Sequence, residues 1–147
     1  MKTVDESERQ TISERATQYF ENGFHCAEAV ATAVIEGLGQ DPTQAAAHAT
    51  AFGGGMGRTF LEACGALSGA FIVIGHLHGR PRPGGDWDLA AELGARIRQR
   101  FIDEFDTTQC AALRRRFGRE QQHAQCLKLV NQVTADLLAL LAQDPDQ

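Results

Sequence analysis

A run of glycines followed by a long apolar segment constrains this chain more than any other feature of its sequence. Four of the five residues at 53–57 are glycine. Glycine carries a large entropy cost inside a regular helix, so this run predicts a sharply turned loop between two helices. Thr59 and Glu62 then have the spacing of a capping box, which marks the start of a helix. We therefore expect a helix over about residues 60–78.

The segment after this loop carries almost no polar side chain on any of its faces. Between Leu61 and His76, the main exceptions are Glu62, Cys64 and Ser68. A helix that is apolar all round is typical of the interior of a protein. The sequence therefore predicts an all-α fold, a compact bundle of about five to seven helices around this central helix. No strand-like alternation and no internal repeat is present in the sequence.

Two glycines lie one turn apart in this expected central helix. Each costs roughly 1 kcal/mol relative to alanine in a helix interior, so Gly65 and Gly69 indicate a requirement for space. One interpretation is a close crossing with another helix. The other is that they clear room beside Cys64 for a cofactor or for a second sulfur atom, and both interpretations can hold together.

The rest of the chain also shows apolar residues at helical spacing and recognisable helix ends. Ser7 and Gln10 have the spacing of a capping box, and Asp86 and either Thr107 or Thr108 are candidate N-caps. The expected helices cover residues 7–22, 24–38, about 43 to the glycine loop, 86–105, 108–117 and 119–142. Residues 79–85, rich in proline and glycine, are expected to form an exposed connector within a single helical domain that spans residues 1–147.

Composition and charge exclude several classes of function. The chain has 147 residues and a net charge of −5, which argues against a nucleic-acid partner because phosphate contacts require a clustered basic surface. The first ten residues contain no apolar stretch, and no apolar run is long enough to span a bilayer. We therefore expect a cytoplasmic protein without membrane insertion, in which four cysteines serve metal binding or redox chemistry rather than permanent disulfides.

Four cysteines are the candidate functional residues. Cys26, Cys64, Cys110 and Cys126 contain no C-x-x-C pair, so the local signatures of zinc fingers, ferredoxins and thioredoxins are absent. Each cysteine nevertheless lies on or next to the apolar stripe of a different expected helix. A compact bundle could therefore bring all four sulfur atoms together in its interior.

Two of these cysteines have reasons to ionise. Cys110 follows a candidate threonine cap, and Arg114 lies one turn further along the chain, so free N–H groups and a positive charge would favour a thiolate. Cys64 also lies near an expected helix start. Thiolate is the form that attacks electrophiles and binds metals.

Among the histidines, His123 is the candidate ligand or proton donor because it precedes Cys126 by three positions on the same helix face. His25 is adjacent to Cys26 and is expected to point elsewhere. A phosphate-binding P-loop requires a lysine followed by serine or threonine, whereas Arg58-Thr59 follows the glycine loop here. Capping or surface roles are expected for His25, His48, His76 and His78.

At this point the sequence resembles the C_GCAxxG_C_C family of redox-active proteins. The resemblance consists of Cys26 in an early helix, the glycine loop FGGGMG, the segment CGALSG at residues 64–69, and the later single cysteines Cys110 and Cys126. It extends over nearly the whole domain. The core motif with its preceding glycines is the most specific part.

The resemblance implies a small helical protein whose four cysteines are functional. The chain is also similar to the non-haem part of the split-Soret cytochromes, which implies an iron–sulfur cluster as the use of the thiolates. The chain has no C-x-x-C-H haem site. The family's genes often lie near transporters or oxidoreductases.

Several functions remain open from the sequence. The first is an electron-transfer protein in which Cys26, Cys64, Cys110 and Cys126 hold an iron–sulfur cluster, most simply [2Fe–2S], with Gly65, Gly69 and His123 beside it. The second is a metal-free dithiol/disulfide couple with Cys110 as the attacking thiolate. A structural Cys₄ zinc site and a helical interaction module without enzymatic activity are further alternatives. The expected partner is a redox protein, and a homodimer is left open.

Overall fold

The structure is a computed structural model that describes residues 2–143, so Met1 and residues 144–147 of the expected domain lie outside the described residues. The described residues form six α-helices and no strand, which confirms the all-α prediction. Among them, no helix combines the length and the apolar character needed to cross a membrane. The helices are α1 (Glu6–Glu21), α2 (Cys26–Gly37), α3 (Thr43–Ala49), α4 (Gly65–His78), α5 (Asp88–Phe105) and α6 (Cys110–Ala142), with one 3₁₀ turn at Thr50–Phe52.

The helix starts lie within a few residues of their expected positions, but the capping residues sometimes differ. At α1 the capping box is formed by Asp5 and Glu8, not by Ser7 and Gln10. Asp5 Oδ1 accepts the backbone N–H of Glu8 at 2.8 Å, and the Glu8 carboxylate accepts the N–H of Asp5 at 2.9 Å. Aspartate is an equally good N-cap, so sequence spacing alone could not decide between the two boxes.

The central helix α4 begins at Gly65, about five residues later than expected. The predicted capping box of Thr59 and Glu62 is wrong, because the glycine loop continues through both residues. Thr59 Oγ1 donates to carbonyl oxygens of the loop and accepts the N–H of Leu61 at 3.2 Å. Cys64 is consequently the N-cap of α4 and does not lie in its second turn.

The first half of α4 is buried on every side, as expected for a central helix. All residues from Gly65 to Ala70 are buried, and α4 as a whole packs against α2, α3, α5 and α6. Further along, Val73 and Ile74 remain buried, whereas Phe71 is 41% exposed. The second half of the helix therefore has one face at the surface.

The helices α5 and α6 are joined at a tight corner, and α6 is interrupted. Asp106 has a left-handed backbone (φ 68°) and ends α5. Gly118 has φ 76° and ψ 159°, values that break the helix, so residues 110–117 and 119–142 form two helical segments as the sequence predicts. The connector at residues 79–85 lies outside the helices and is largely exposed.

The backbones of α4 and α2 come unusually close together at Gly69. A Cβ atom at this position would lie 2.5 Å from the carbonyl oxygen and 3.0 Å from the Cα of Ala27. Both neighbours are main-chain atoms, which cannot move without shifting a helix. The interpretation of Gly69 as a helix-crossing residue is therefore supported by direct geometry.

We predict that Gly69→Ala lowers the free energy of unfolding by about 1–2 kcal/mol. Overpacking costs about 1–3 kcal/mol, and the better helix propensity of alanine offsets up to about 1 kcal/mol of this. Gly75→Ala is the matched control, because its Cβ would meet nothing within 4 Å. That variant should gain about 0.5–1 kcal/mol. Urea unfolding measures the free energy of unfolding of both variants, and equal changes in the two would contradict the close crossing of α2 and α4.

Two carboxyl groups meet where α5 packs against α6. The pKa of Glu104 is raised to about 7 by partial desolvation of the carboxyl group and by the neighbouring Asp136, partly offset by Arg100. Asp136 itself is buried and accepts a hydrogen bond from Gln132 Nε2 at 3.0 Å. A proton shared at this position relieves the repulsion between the two acids.

We predict that this pair makes the protein less stable as pH rises. The pKa of Glu104 is higher in the folded than in the unfolded chain, so the folded state holds the extra proton and loses this advantage between about pH 4.5 and 7. Relative to the native protein, Glu104→Gln should be more stable at pH 8 than at pH 5. Because Glu104 is largely exposed, solvent screening reduces the effect.

The control for this prediction is Glu92→Gln, an exposed glutamate on the same helix. Urea unfolding of the three proteins at pH 5 and pH 8 gives the comparison. A Glu104→Gln curve parallel to the native curve across this pH range would contradict the prediction.

Candidate functional site

Three of the four cysteines line one pocket of about 280 Å³. Cys26 is the first residue of α2, Cys110 is the first residue of α6, and Cys126 lies in the second segment of α6. All three are partly exposed. Residues far apart in the sequence thus meet at a single opening in the surface of the bundle.

The fourth cysteine lies deeper, within electrostatic reach of two of the others. Cys64 is 7% exposed and does not line the pocket. A negative charge on Cys26 raises the pKa of Cys64, Cys110 and Cys126, and a charge on Cys110 raises the pKa of Cys64 and Cys126. Cys26 and Cys110 therefore each interact with all three of the other cysteines.

A short backbone pairing holds Cys64 and Cys110 in register. Ala63 and Gln109 form an isolated antiparallel bridge. On one side of it the Cys64 N–H donates to Thr108 O at 2.7 Å, and on the other the Cys110 N–H donates to Glu62 O at 2.9 Å. Each cysteine follows a bridge residue directly, so the start of α4 and the start of α6 are fixed relative to each other.

The glycine loop closes one side of the pocket in a left-handed conformation. Residues 54–58 have five consecutive positive φ values, between 59° and 67°. Gly53 and Gly54 line the pocket, and a Cβ at Gly55 would lie 2.7 Å from the Cβ of Cys110. The glycines are needed here both for the backbone conformation and for close approach to a cysteine.

Gly65 provides the space for a second sulfur atom at the start of α4. A Cβ at this position would collide with the sulfur of Cys26. The Ala66 N–H, one residue further along, acts on the sulfur atoms of both Cys26 and Cys64. Gly65 therefore lets two cysteines share the free end of one helix, whereas a role for Gly65 or Gly69 in holding a cofactor stays a prediction.

Helix starts surround the sulfur atoms. Cys26, Cys64 and Cys110 each lie at the beginning of a helix, as first residue or as N-cap. Helix N-termini carry unpaired N–H groups and the positive end of the helix dipole. Backbone N–H groups of Gly54, Ala27 and Ala66 lower the pKa of Cys26, and those of Ala66 and Leu67 lower that of Cys64. The site is consequently built to stabilise negative charge on sulfur.

In the metal-free protein, burial nevertheless raises the pKa of the thiols by more than these N–H donors lower it. It raises the pKa of Cys26, Cys64 and Cys110 above the ordinary value of 9.0, and that of Cys126 to about 11. Arg114 lowers the pKa of Cys110 and Cys126, but by less than burial and the neighbouring sulfurs raise it. The expectation that Cys64 and Cys110 are thiolates at neutral pH is therefore not confirmed for the metal-free protein.

His123 does not lie where the sequence suggested, whereas His25 takes the capping position expected of it. His123 is exposed, does not line the pocket, and packs against Phe20 with ring centroids 5.4 Å apart. His25, expected to point elsewhere, is the N-cap of α2 and lines the pocket. His123 lies one helical turn before Cys126 in α6, and its side chain is more exposed than that of Cys126.

Sequence reasoning missed several residues that line the pocket. Arg58 and Phe60 come after the last glycine of the loop and line the pocket. The Cζ atom of Arg114 lies 3.8 Å from the centroid of the Phe60 ring. The expected helix start near residue 60 removed Arg58 and Phe60 from consideration. The signal that could have found them is the length of the glycine run, which is greater than a simple turn requires.

Within residues 2–143, no three or more His, Cys, Asp or Glu side chains are grouped closely enough to hold a metal ion. The four cysteines also form no disulfide. The sulfur atoms are therefore spaced around the pocket, and no three of them are grouped for a single metal ion among the described residues. The arrangement differs from the tight tetrahedral sets of structural zinc sites.

The fold and site define a helical protein with four single cysteines, three of which line one pocket while the fourth is buried nearby. The chain matches the model of the family described as "Putative redox-active protein (C_GCAxxG_C_C)" over residues 24–140. It belongs to that family, as its cysteines and glycine loop predicted. No curated protein and no solved structure matches the chain.

We predict that alkylation of Cys126 by iodoacetamide keeps rising with pH well above 9 in the reduced, metal-free protein. With a pKa of about 11, the thiolate fraction and hence the rate should increase about tenfold per pH unit from 8 to 10. In urea the same thiol should titrate near ~8.5, so its rate should level off. Peptide mass mapping measures both, and a plateau below pH 9 in the folded protein would contradict the prediction.

Proposed function

We propose that this protein is an electron-transfer protein whose cysteines, Cys26, Cys64, Cys110 and Cys126, bind one iron–sulfur cluster. The observation that carries the proposal is the gathering of four cysteines from separate segments, three lining one pocket and Cys64 buried within electrostatic reach of two of them, at a place rich in helix starts. A bound cluster would supply one-electron oxidation and reduction. The family's description as redox-active agrees with such a role.

The donor set fits a cluster in number and in kind. Clusters of the [2Fe–2S] type are held by four cysteine thiolates. A two-iron cluster is bound by two thiolates at each end, so its ligands surround a larger object than a single ion. Sulfur atoms spaced around a pocket, without three of them grouped for one ion among the described residues, are compatible with that requirement.

The charge of the site also supports a cluster. Four thiolates close together repel one another, as the mutual effects of Cys26 and Cys110 on the neighbouring pKa values indicate. Bound metal cations would offset this repulsion between thiolates, because a coordinating thiol is deprotonated outright. The N–H groups of Gly54, Ala27, Ala66 and Leu67 would then act on the ligand sulfurs, an interaction that tunes cluster potentials.

A metal-free dithiol/disulfide couple is less well supported. Attack on a disulfide requires a thiolate, and burial raises the pKa of Cys110, the expected attacking residue. A Cys₄ zinc site would require closer grouping of the sulfur atoms than the structure has. Both alternatives have distinct outcomes in the experiment that follows.

We predict that protein purified anaerobically without added reductant is brown and contains iron and acid-labile sulfide. Cys64→Ser and Cys110→Ser should each lose the visible absorption, because each removes one of the four ligands. Absorption spectra and metal analysis on the same samples provide the measurement, with circular dichroism to show that each variant is folded.

The control variant is His123→Gln, which alters an exposed residue three positions from Cys126 and should keep the full absorption. Colourless native protein without iron would overturn the proposal. If thiols then disappear on mild oxidation, the dithiol couple is favoured. Stoichiometric zinc that resists exchange for iron would favour the zinc site.

A further inference from the structure

The mouth of the cysteine pocket carries positive charge without an opposing carboxylate. Arg58 and Arg114 both line it, and no aspartate or glutamate is among the described residues that do. In the part of the chain that the structure describes, neither arginine is in an ion pair. The protein as a whole has a net charge of −5, so this local excess of positive charge is a property of the pocket.

Arg114 is held in place next to the sulfur atoms. Its guanidinium lies over the ring of Phe60, 3.8 Å from Cζ to the ring centroid, a contact that orients the group and leaves its N–H donors available. The positive charge acts on both Cys110 and Cys126. A group bound to Arg114 in the pocket would therefore lie close to the cysteines.

Arg58 occupies a position where a side chain is unfavourable. Its φ of 59° is left-handed, a conformation that is unfavourable for a residue with a Cβ atom. The Arg58 N–H donates to Gly53 O at 3.1 Å and fixes the backbone there. The other positive-φ residues of this loop include three glycines, whereas Arg58 adopts this conformation with a full side chain and lines the pocket.

We propose that Arg58 and Arg114 form a binding site for the carboxylate, phosphate or sulfate group of a small molecule, next to the cysteines. Guanidinium groups bind such oxyanions through paired N–H donors. A volume of about 280 Å³ lies near the lower limit of small-molecule pockets, which favours a compact ligand over a protein segment. This anion site does not depend on the proposed function.

Two alkylating reagents that differ in charge test the anion site on the reduced, metal-free full-length chain. In both reactions the thiolate sulfur attacks the CH₂ carbon, a C–S bond forms and iodide leaves. Iodoacetate carries a carboxylate and iodoacetamide is neutral. Because both reagents attack the same thiolate, the ratio of their rates cancels any change in thiol pKa. Peptide mapping reads the ratio at Cys110 and Cys126.

We expect the ratio of iodoacetate to iodoacetamide rates to fall about fivefold in Arg58→Gln and in Arg114→Gln, as for one unit charge at contact distance in water. Arg115→Gln is the matched control, because it removes the same charge from an exposed residue that does not line the pocket. That variant should keep the native ratio. An equal fall in the control, or no fall in either pocket variant, would overturn the proposal.

Orthophosphate at constant ionic strength distinguishes a binding site from a diffuse field. It should slow iodoacetate alkylation of the native protein with saturation and leave the two pocket variants unaffected. Inhibition without saturation would overturn the proposal. Because no cluster is present in this experiment, its failure is distinguishable from a failure of the proposed function, which metal analysis decides.

Discussion

The close crossing of α2 and α4 is the constraint on which the site depends. At Gly69 the two backbones are in contact, and one turn earlier Gly65 leaves room for the sulfur of Cys26. The two helix starts are therefore brought together, and Cys64 lies at the second of them. A side chain at either glycine would separate these helices and move one sulfur atom away from the other. The packing of α4 against α2 therefore also determines the positions of Cys26 and Cys64.

The remaining cysteines are positioned by a loop and a short backbone pairing. The loop at residues 54–58 turns through five left-handed residues, and the bridge between Ala63 and Gln109 then attaches the start of α6 to the start of α4. Neither feature belongs to a helix, yet together they bring Cys110 to the pocket. Helix packing and loop conformation each supply part of one site, and Cys126 is added by the second segment of α6.

Much of the fold was predictable because helix periodicity and helix ends are local signals, and the break at Gly118 is an example. The gathering of the cysteines was expected from apolar stripes, whereas in the structure Cys26, Cys64 and Cys110 lie at helix starts. The start of α4 was not predictable from Thr59 and Glu62, because tertiary hydrogen bonds of the loop override the local capping pattern. The roles of Arg58 and the thiol pKa values depend on burial and on contacts between distant residues, which local sequence patterns do not contain.

The order of the cysteines along the chain has a consequence for how the protein is made. Cys26 belongs to the second helix, whereas Cys126 lies in the last one, beyond the break at Gly118. During synthesis the first two cysteines leave the ribosome long before the last one, and the pocket has no complete wall until α6 has packed. The centre is therefore assembled at the end of folding. A chain truncated before residue 126 would lack both a finished site and most of the buried residues of α6 that pack against the other helices.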